Sequence, residues 1–201
     1  MIRVLLAEDQ GTVRDALATL LGLQPDLEVV ATVGRGDEVV GAAVVAKPDV
    51  AVLDIEMPGM DGLDAAARLR ERLPTCKVLI LTTFGRPGFL RRAMASGAVG
   101  FLVKEAPAAQ LAIAIRRAMA GERIVDPALA AAALSEGESP LTEREHDILA
   151  ATAAGQSITE IAASLYLSEG TVRNYLSEAI QKLGAQNRVE AARIAERKGW
   201  L

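Results

Sequence analysis

The sequence predicts a doubly wound α/β domain followed by a small all-helical domain. Five short apolar runs alternate with helical spacing over the first 120 residues, and no strand pattern returns after Pro140. Because the apolar runs are continuous, they are typical of strands that are buried on both faces of a parallel sheet. At 201 residues the chain is also longer than one typical domain, so we expect two domains.

The five apolar runs are predicted to be strands joined by right-handed helical crossovers. The predicted strands are Ile2–Ala7, Val29–Val33, Val50–Leu53, Val78–Leu81 and Val99–Val103. Residues 121–138 break this alternation and are predicted to form a linker, with a short helix over its alanines. The predicted domains are therefore 1–120 and 139–201.

The C-terminal domain is predicted to contain four short helices whose ends are marked by capping residues. Thr142 with Glu145, and Ser157 with Glu160, have the spacing of capping boxes, and Ser168 is a third expected N-cap. Two glycines stand where helix C-caps are expected, Gly155 and Gly184. The predicted helices are 143–154, 158–165, 169–183 and 187–198.

Composition excludes several classes of protein. Glu8 and Asp9 interrupt the first apolar stretch too early for a signal peptide, and no later run approaches a membrane span. We therefore expect a cytoplasmic protein without direct membrane insertion. The single cysteine, Cys76, and the single histidine, His146, exclude an internal disulfide and a zinc cage.

Polar residues end four of the five predicted strands. Glu8 and Asp9 follow the first strand and Asp54 the third, while Thr82 and Lys104 end the fourth and fifth. In the common strand order 2-1-3-4-5, the first and third strands flank the point where such sheets bind ligands. The three carboxylates are therefore expected to converge, and their mutual repulsion predicts a Mg²⁺ site.

A carboxylate beside Mg²⁺ can act as a nucleophile toward a phosphoryl group, and Asp54 is the predicted nucleophile. Lys104 is expected to attract the phosphoryl oxygens, and Thr82 to donate a hydrogen bond. Two other classes stay open: a Mg²⁺-dependent phosphohydrolase and a flavodoxin-like cofactor carrier. This chain lacks the paired Asp-x-Asp of such phosphohydrolases, because Glu56 follows Asp54 by two residues. A cofactor carrier would need phosphate-cradling turns near the point where this chain has carboxylates.

The strand-end motifs resemble the response-regulator receiver domain over about residues 1–120. The resemblance rests on Glu8-Asp9, the segment 54–62, Thr82 and the segment 100–104. It implies a flavodoxin-like fold and phosphorylation of Asp54 by a sensor histidine kinase. It also implies a metal site and a switch pair, with Mg²⁺ held by Glu8, Asp9, Asp54 and the backbone carbonyl of Glu56, and with Thr82 and Phe101 as the switch.

One departure from the receiver pattern follows Lys104. Many receivers place proline directly after this lysine, whereas here Glu105 follows and the proline is Pro107. The local peptide geometry there is therefore open, although the chemistry of Lys104 is unaffected. The loop 84–88, which contains two glycines, is predicted to move.

The third predicted helix of the C-terminal domain has one apolar stripe and one polar, weakly charged face. This pattern fits an ordinary amphipathic helix, but the polar side chains also suit base edges and phosphates. The predicted DNA contacts are Ser168, Thr171, Arg173, Asn174, Ser177, Gln181 and Lys182.

The C-terminal motifs resemble the LuxR-type helix-turn-helix, on segments 141–145, 155–162, 168–175, 182–184 and 187–188. Receiver and helix-turn-helix in this order are the arrangement of the NarL/FixJ family, which implies sequence-specific DNA binding and regulation of transcription. The stretch from Thr171 to Leu201 resembles the subgroup that regulates a fatty-acid desaturase with a membrane-fluidity sensor kinase. Many members have a basic residue where Ser177 stands, so a different DNA site is expected.

The charge of the C-terminal domain predicts a dimer. Residues 140–201 carry 7 basic and 8 acidic side chains, so a single module releases few counterions and should bind DNA weakly. Phosphorylation of Asp54 is therefore predicted to promote homodimerisation and operator binding. The candidate faces are the first and fifth helices, or the fourth helix with the fifth strand and helix. RNA polymerase is a further candidate partner, and any catalysis is limited to self-catalysed phosphorylation and dephosphorylation.

Overall fold

A computed structural model describes residues 1–83, 87–104, 108–127, 129–131 and 139–201. These residues form two compact units, an α/β unit that contains all of their strands and a helical unit that contains their last four helices. Three sequence predictions lie wholly or partly outside the described residues. They are the movement of the loop 84–88, the geometry of the segment 105–107 and the helix over the alanines of 121–138.

The α/β unit is a parallel sheet with helices packed on it. Its strands are β1 (Ile2–Ala7), β2 (Leu27–Val33), β3 (Val50–Leu53), β4 (Lys77–Thr82), β5 (Gly100–Val103) and β6 (Ile124–Val125). Its helices are α1 (Gly11–Gly22), α2 (Val39–Ala46), α3 (Gly62–Arg72), α4 (Pro87–Ala95) and α5 (Ala108–Met119), with a short 3-10 helix over Gly36–Glu38. The strand order β2-β1-β3-β4-β5-β6 confirms the predicted order of the first five strands.

The sixth strand, β6, lies in the segment that was predicted as linker. It pairs in parallel with β5, Gly100 opposite Ile124 and Phe101 opposite Val125. The Ile124 amide also donates to the Val99 carbonyl, 2.9 Å away. Because a strand of two residues has no apolar periodicity, the sequence pattern could not reveal it. The sheet therefore extends past residue 120, and β6 covers the edge of β5.

The register between β1 and β3 brings the candidate site together. These strands pair from Val4 opposite Val50 to Ala7 opposite Leu53. The Asp54 amide then donates to the Ala7 carbonyl at 2.9 Å, which continues the ladder by one residue. All four residues of β3 are buried, so this part of the sheet is held by apolar packing on both faces. The residues that follow β1 and β3 consequently lie at one edge.

The helical unit consists of α6 (Glu143–Ala153), α7 (Ile158–Ser164), α8 (Glu169–Leu183) and α9 (Arg188–Arg197). The four predicted helices are thus confirmed to within one residue at each end. Buried side chains of all four helices form one core, among them Ile148, Ile161, Val172, Leu176 and Ala191.

The predicted capping residues are confirmed. Both capping boxes form, the first between Thr142 and Glu145 and the second between Ser157 and Glu160. The Ser168 hydroxyl accepts a hydrogen bond from the Thr171 amide at 3.1 Å, which caps α8. At the other end of α8 Gly184 has a φ of 63°, a left-handed conformation that favours glycine.

Gly62 is the first residue of α3 and packs against the backbone of Asp54. A Cβ at this position would overlap the backbone oxygen of Asp54. We expect Gly62→Ala to lower the free energy of unfolding of the α/β unit by about 1–3 kcal/mol, because backbone must shift to make room. Gly41, inside α2, is the matched control, since a Cβ there meets nothing within 4 Å. Gly41→Ala should raise the free energy of unfolding by about 0.5–1 kcal/mol.

Urea unfolding followed by circular dichroism measures both variants. The single tryptophan, Trp200, belongs to the core of the helical unit, so its fluorescence follows that unit separately. Equal stability of Gly62→Ala and Gly41→Ala would contradict the steric argument.

Candidate functional site

Three carboxylates meet at the edge of the sheet where β1 and β3 end. Glu8, Asp9 and Asp54 each offer one carboxylate oxygen, and these oxygens lie within 4.8 Å of one another. Glu8 is only 1% exposed and Asp54 4% exposed, whereas Asp9 faces solvent. The structure therefore brings together the three acids that the strand order places side by side.

Lys104 reaches this acidic cluster from the end of β5. Its Nζ lies 2.7 Å from Glu8 Oε2 and 2.8 Å from Asp54 Oδ2. The Lys104 amide donates to the Thr82 carbonyl at 2.8 Å, which fixes the start of the side chain beside the end of β4. Because one ammonium faces three carboxylates, the cluster keeps a net negative charge.

Burial shifts the pKa values of the groups in this cluster. Burial raises the pKa of Asp54 above its ordinary value, although hydrogen bonds from Lys104 and from the Ile55 amide partly oppose the rise. Burial likewise raises the pKa of Glu8 against the hydrogen bond from Lys104. For Lys104, burial lowers the pKa, but the hydrogen bonds to Asp54 and Glu8 outweigh it and the net shift is upward. Lys104 is therefore an ammonium at neutral pH.

Backbone contacts hold the two buried carboxylates in place. The Ile55 amide donates to Asp54 Oδ1 at 2.8 Å, and the Gln10 amide donates to Glu8 Oε1 at 3.2 Å. Arg14 Nη1 donates to the Glu8 carbonyl at 2.6 Å, so the guanidinium braces the backbone after β1. Sequence reasoning missed Arg14, because a separation of six residues across a strand end and a loop has no periodic meaning.

The remaining residues predicted for this site lie around the cluster. Thr82 and Phe101, the predicted switch pair, are buried at 1% and 2% exposure on the neighbouring strands β4 and β5. The Phe101 ring is therefore turned into the unit. Glu56 lies two residues after Asp54 with its side chain exposed, in a loop where the Met57 amide donates to the Ile55 carbonyl at 3.1 Å.

Most of the predicted DNA contacts lie on the exposed face of α8 or at its start. Arg173, Asn174, Ser177 and Gln181 are all exposed. Ser177 Oγ donates to the Arg173 carbonyl at 2.9 Å. At the start of the helix, the hydroxyls of Ser168 and Thr171 lie 2.8 Å apart. The predicted polar face is therefore present in the folded unit.

Lys182 is placed apart from this face. Its Nζ donates to both carboxylate oxygens of Glu145, at 2.8 and 2.7 Å. Glu145 is fully buried and also accepts a hydrogen bond from the Thr142 amide at 2.7 Å. The Lys182 ammonium is thus held by an ion pair with a buried carboxylate, while the Lys182 side chain itself is partly exposed. Its partner stands 37 residues earlier in the chain, a distance at which a single sequence carries no pairing signal.

Two family models match the chain. A response regulator receiver domain matches residues 4–116, and the luxR family of bacterial regulatory proteins matches residues 139–195. The chain is a response regulator. Its family consists of transcription regulators of two-component systems, which favours this class over the phosphohydrolase and the cofactor carrier that the sequence left open.

Relatives of this response regulator match along the full chain. The uncharacterized transcriptional regulatory protein YvfU and the transcriptional regulatory protein DesR, both of Bacillus subtilis, are 47% and 44% identical over 201 residues, covering 100% of each chain. The DNA-binding transcriptional activator DevR/DosR of Mycobacterium tuberculosis is 35% identical, covering 97% of this chain and 94% of its own. These matches confirm the resemblance to the NarL/FixJ family.

A solved response-regulator structure matches along the whole chain. The response regulator ChrA of a heme-sensing two-component system is 33% identical, with a TM-score of 0.57, and the match covers 100% of this chain and 98% of ChrA.

Every helix in the described part of the chain is too short or too polar to span a bilayer.

The ion pair of Glu145 and Lys182 should stabilise the helical unit. Lys182→Met leaves a buried carboxylate without its cation, and we expect the free energy of unfolding to fall by about 1–3 kcal/mol at neutral pH. Glu178→Gln, an exposed change on the same helix, is the control and should change it by less than about 0.5 kcal/mol. Trp200 fluorescence during urea unfolding measures both, and equal midpoints would contradict a stabilising pair.

The same pair predicts a pH dependence. Burial raises the pKa of Glu145, but the hydrogen bonds from Lys182 and Thr142 outweigh it and hold the pKa below its ordinary value. A carboxyl whose pKa is lowered by folding stabilises the fold above its unfolded pKa, and this stabilisation is lost as the pH falls through the folded pKa. The stability difference between wild type and Lys182→Met should therefore shrink as the pH falls toward the lowered pKa of Glu145, because protonation removes the buried charge that Lys182 faces.

Proposed function

We propose that Asp54 accepts a phosphoryl group and that this modification controls DNA binding by the helical unit. The observation that carries the proposal is the buried Asp54 carboxylate, placed beside Glu8 and 2.8 Å from Lys104 Nζ in a receiver domain. A receiver domain implies a sensor histidine kinase as the phosphoryl donor.

The acidic cluster fits Mg²⁺. Hard divalent cations prefer carboxylate and carbonyl oxygens, and Glu8, Asp9 and Asp54 present three such oxygens within 4.8 Å. The net negative charge that remains after Lys104 is counted supports a further cation. The Glu56 backbone carbonyl is the proposed fourth protein ligand. Bound there, Mg²⁺ would neutralise charge on the attacking and transferred oxygens.

Phosphoryl transfer to Asp54 exchanges one bond to phosphorus for another. A carboxylate oxygen of Asp54 bonds to phosphorus while the bond from phosphorus to the kinase imidazole nitrogen breaks, and that nitrogen keeps the electron pair. Lys104 then pairs with the phosphoryl oxygens, and the Thr82 hydroxyl donates a hydrogen bond to them. Thr82 and Phe101 are the proposed switch pair, and both side chains are buried. Catalysis is confined to the phosphorylation and dephosphorylation of the protein itself.

The helical unit is proposed to read an operator with α8. Arg173, Asn174 and Gln181 are exposed on one face and can form bidentate contacts with base edges in the major groove. Ser168, Thr171 and Ser177 add hydroxyls to that face and its start. The relative DevR/DosR, described as a DNA-binding transcriptional activator, supports this role. Lys182 is left out of the proposed contacts, because Glu145 holds its ammonium.

Phosphorylation is proposed to promote a homodimer through α1 and α5. These helices pack against each other, and four exposed apolar side chains lie on them or directly after α1: Leu20, Leu23, Ile113 and Met119. Exposed apolar groups are used at protein interfaces. The alternative face, formed by α4, β5 and α5, borders segments outside the described residues.

RNA polymerase as a partner and a cytoplasmic location stay predictions from the sequence.

Incubation with acetyl phosphate and Mg²⁺, read by intact mass, tests the phosphoacceptor. Wild type should gain one phosphoryl group, and Asp54→Asn should gain none because its amide is not a nucleophile. Asp15→Asn is the control, since Asp15 is exposed on α1 outside the cluster, and it should behave as wild type. A phosphoryl gain that survives Asp54→Asn would overturn the assignment.

Ile113→Glu tests the dimer face. Ile113 is 51% exposed on α5, and a carboxylate buried there on association should weaken the phosphorylated dimer by about tenfold or more. Val45→Glu is the control, because Val45 is 84% exposed on α2, away from the proposed face. Sedimentation equilibrium measures the dimer, and intact mass verifies equal phosphorylation. Equal dimer affinities of the two variants would place the interface elsewhere.

A further inference from the structure

A chain of three hydrogen-bonded side chains joins α7 to the start of α8. Thr159 Oγ1 donates to Glu169 Oε1 at 2.7 Å, and Arg173 Nη2 donates to Glu169 Oε2 at 3.0 Å. Thr159 belongs to α7, whereas Glu169 and Arg173 lie one turn apart on α8. Both oxygens of the Glu169 carboxylate are therefore held, one from each helix.

This arrangement restricts the orientation of Arg173. The Arg173 side chain is 60% exposed, and a long exposed side chain without a fixed partner samples many rotamers. A guanidinium presents five N–H donors in a rigid planar fork, and the bond to Glu169 uses only part of that set. An anchored carboxylate thus orients the fork while leaving donors for a second partner.

The charges on α8 indicate what that second partner is. The basic residues of α8 are Arg173 and Lys182, and Glu145 holds Lys182. Glu169 lies beside Arg173 and repels phosphate, so this pair is poorly suited to a phosphate contact. An oriented fork is instead the geometry that reads the O6 and N7 acceptors of guanine in the major groove.

We propose that Glu169 is a specificity-determining positioning residue. Anchored by Thr159, it holds the Arg173 guanidinium so that the free N–H donors pair with a guanine and stay away from phosphates. This inference rests on the proposed DNA-reading function and deepens it, since it names the base and the residue that orients its reader.

Selection of duplexes from a random-sequence pool by the phosphorylated full-length protein tests the inference. Wild type should prefer guanine at one position of each half-site. Arg173→Lys keeps the charge but lacks the fork, so the guanine preference there should fall by about fivefold or more. Glu169→Gln and Thr159→Val should lose preference at the same position. Glu169→Gln also removes a negative charge and should therefore bind non-specific DNA more tightly.

Glu178→Gln is the matched control. It makes the same charge change at another exposed position of α8, more than one turn beyond Arg173 and on the opposite side of the helix from Glu169, and should tighten binding to all sequences without changing the guanine preference. Trp200 fluorescence during unfolding verifies that every variant is folded.

The outcomes separate the inference from the function on which it rests. If Glu169→Gln changes the preference no more than Glu178→Gln does, Glu169 acts through charge alone and the positioning role is wrong. If wild type selects a sequence but Arg173→Lys selects the same one equally well, Arg173 reads no guanine and the inference fails while the DNA-reading function stands. If wild type selects no sequence, both fail.

Discussion

The buried carboxylates at one edge of the sheet repel each other, and the structure of the α/β unit must compensate for that repulsion. The parallel pairing of β1 with β3 ends both strands at the same level, which forces Glu8 and Asp54 together in a place that water barely reaches. Two buried carboxylates cost free energy unless cations face them. Lys104 offsets part of that cost, and its placement requires β5 to end beside β4. The strand order therefore determines both where the carboxylates meet and where the compensating ammonium lies.

The helical unit resolves a similar problem in a different way. There a single buried carboxylate, Glu145, meets a single ammonium, Lys182, and takes a further hydrogen bond from a helix cap. The charges balance one to one, so the pair has a structural role and needs no additional ion. In the acidic cluster the carboxylates outnumber the ammonium three to one, and the excess negative charge gives that edge its proposed chemistry. The ratio of acids to bases distinguishes the two buried sites.

The helical unit has no excess of basic side chains, and this makes a switch that controls dimerisation useful for DNA binding. A helical module with 7 basic and 8 acidic residues gains little from counterion release, so we expect its affinity for DNA to depend on pairing two modules and on base contacts. In the proposed switch, a phosphoryl group on Asp54 that favours the dimer would control DNA binding by the helical unit. The same scarcity of cations makes the orientation of Arg173 matter, because few other basic groups on that helix can compensate for a misplaced guanidinium.

The sequence by itself determined the local features of this protein. Continuous apolar runs indicated the five longer strands and their parallel pairing, and the reciprocal spacing of Thr142 with Glu145 marked a helix start that the structure confirms. The convergence of Glu8, Asp9 and Asp54 followed from strand order alone. These features were predictable because a strand, a cap or a strand end is defined by residues that are close in the chain.

Only the tertiary structure decided how side chains of different elements pair. The brace of Arg14 on the Glu8 carbonyl, the ion pair of Lys182 with Glu145 and the short strand β6 had no signature in a single sequence. Each depends on the angle at which two elements pack and on the side-chain conformation that this packing allows, and neither quantity is encoded in residue spacing. For that reason the sequence, which predicts Lys182 as a DNA contact, could not show that its ammonium pairs with the buried carboxylate of Glu145.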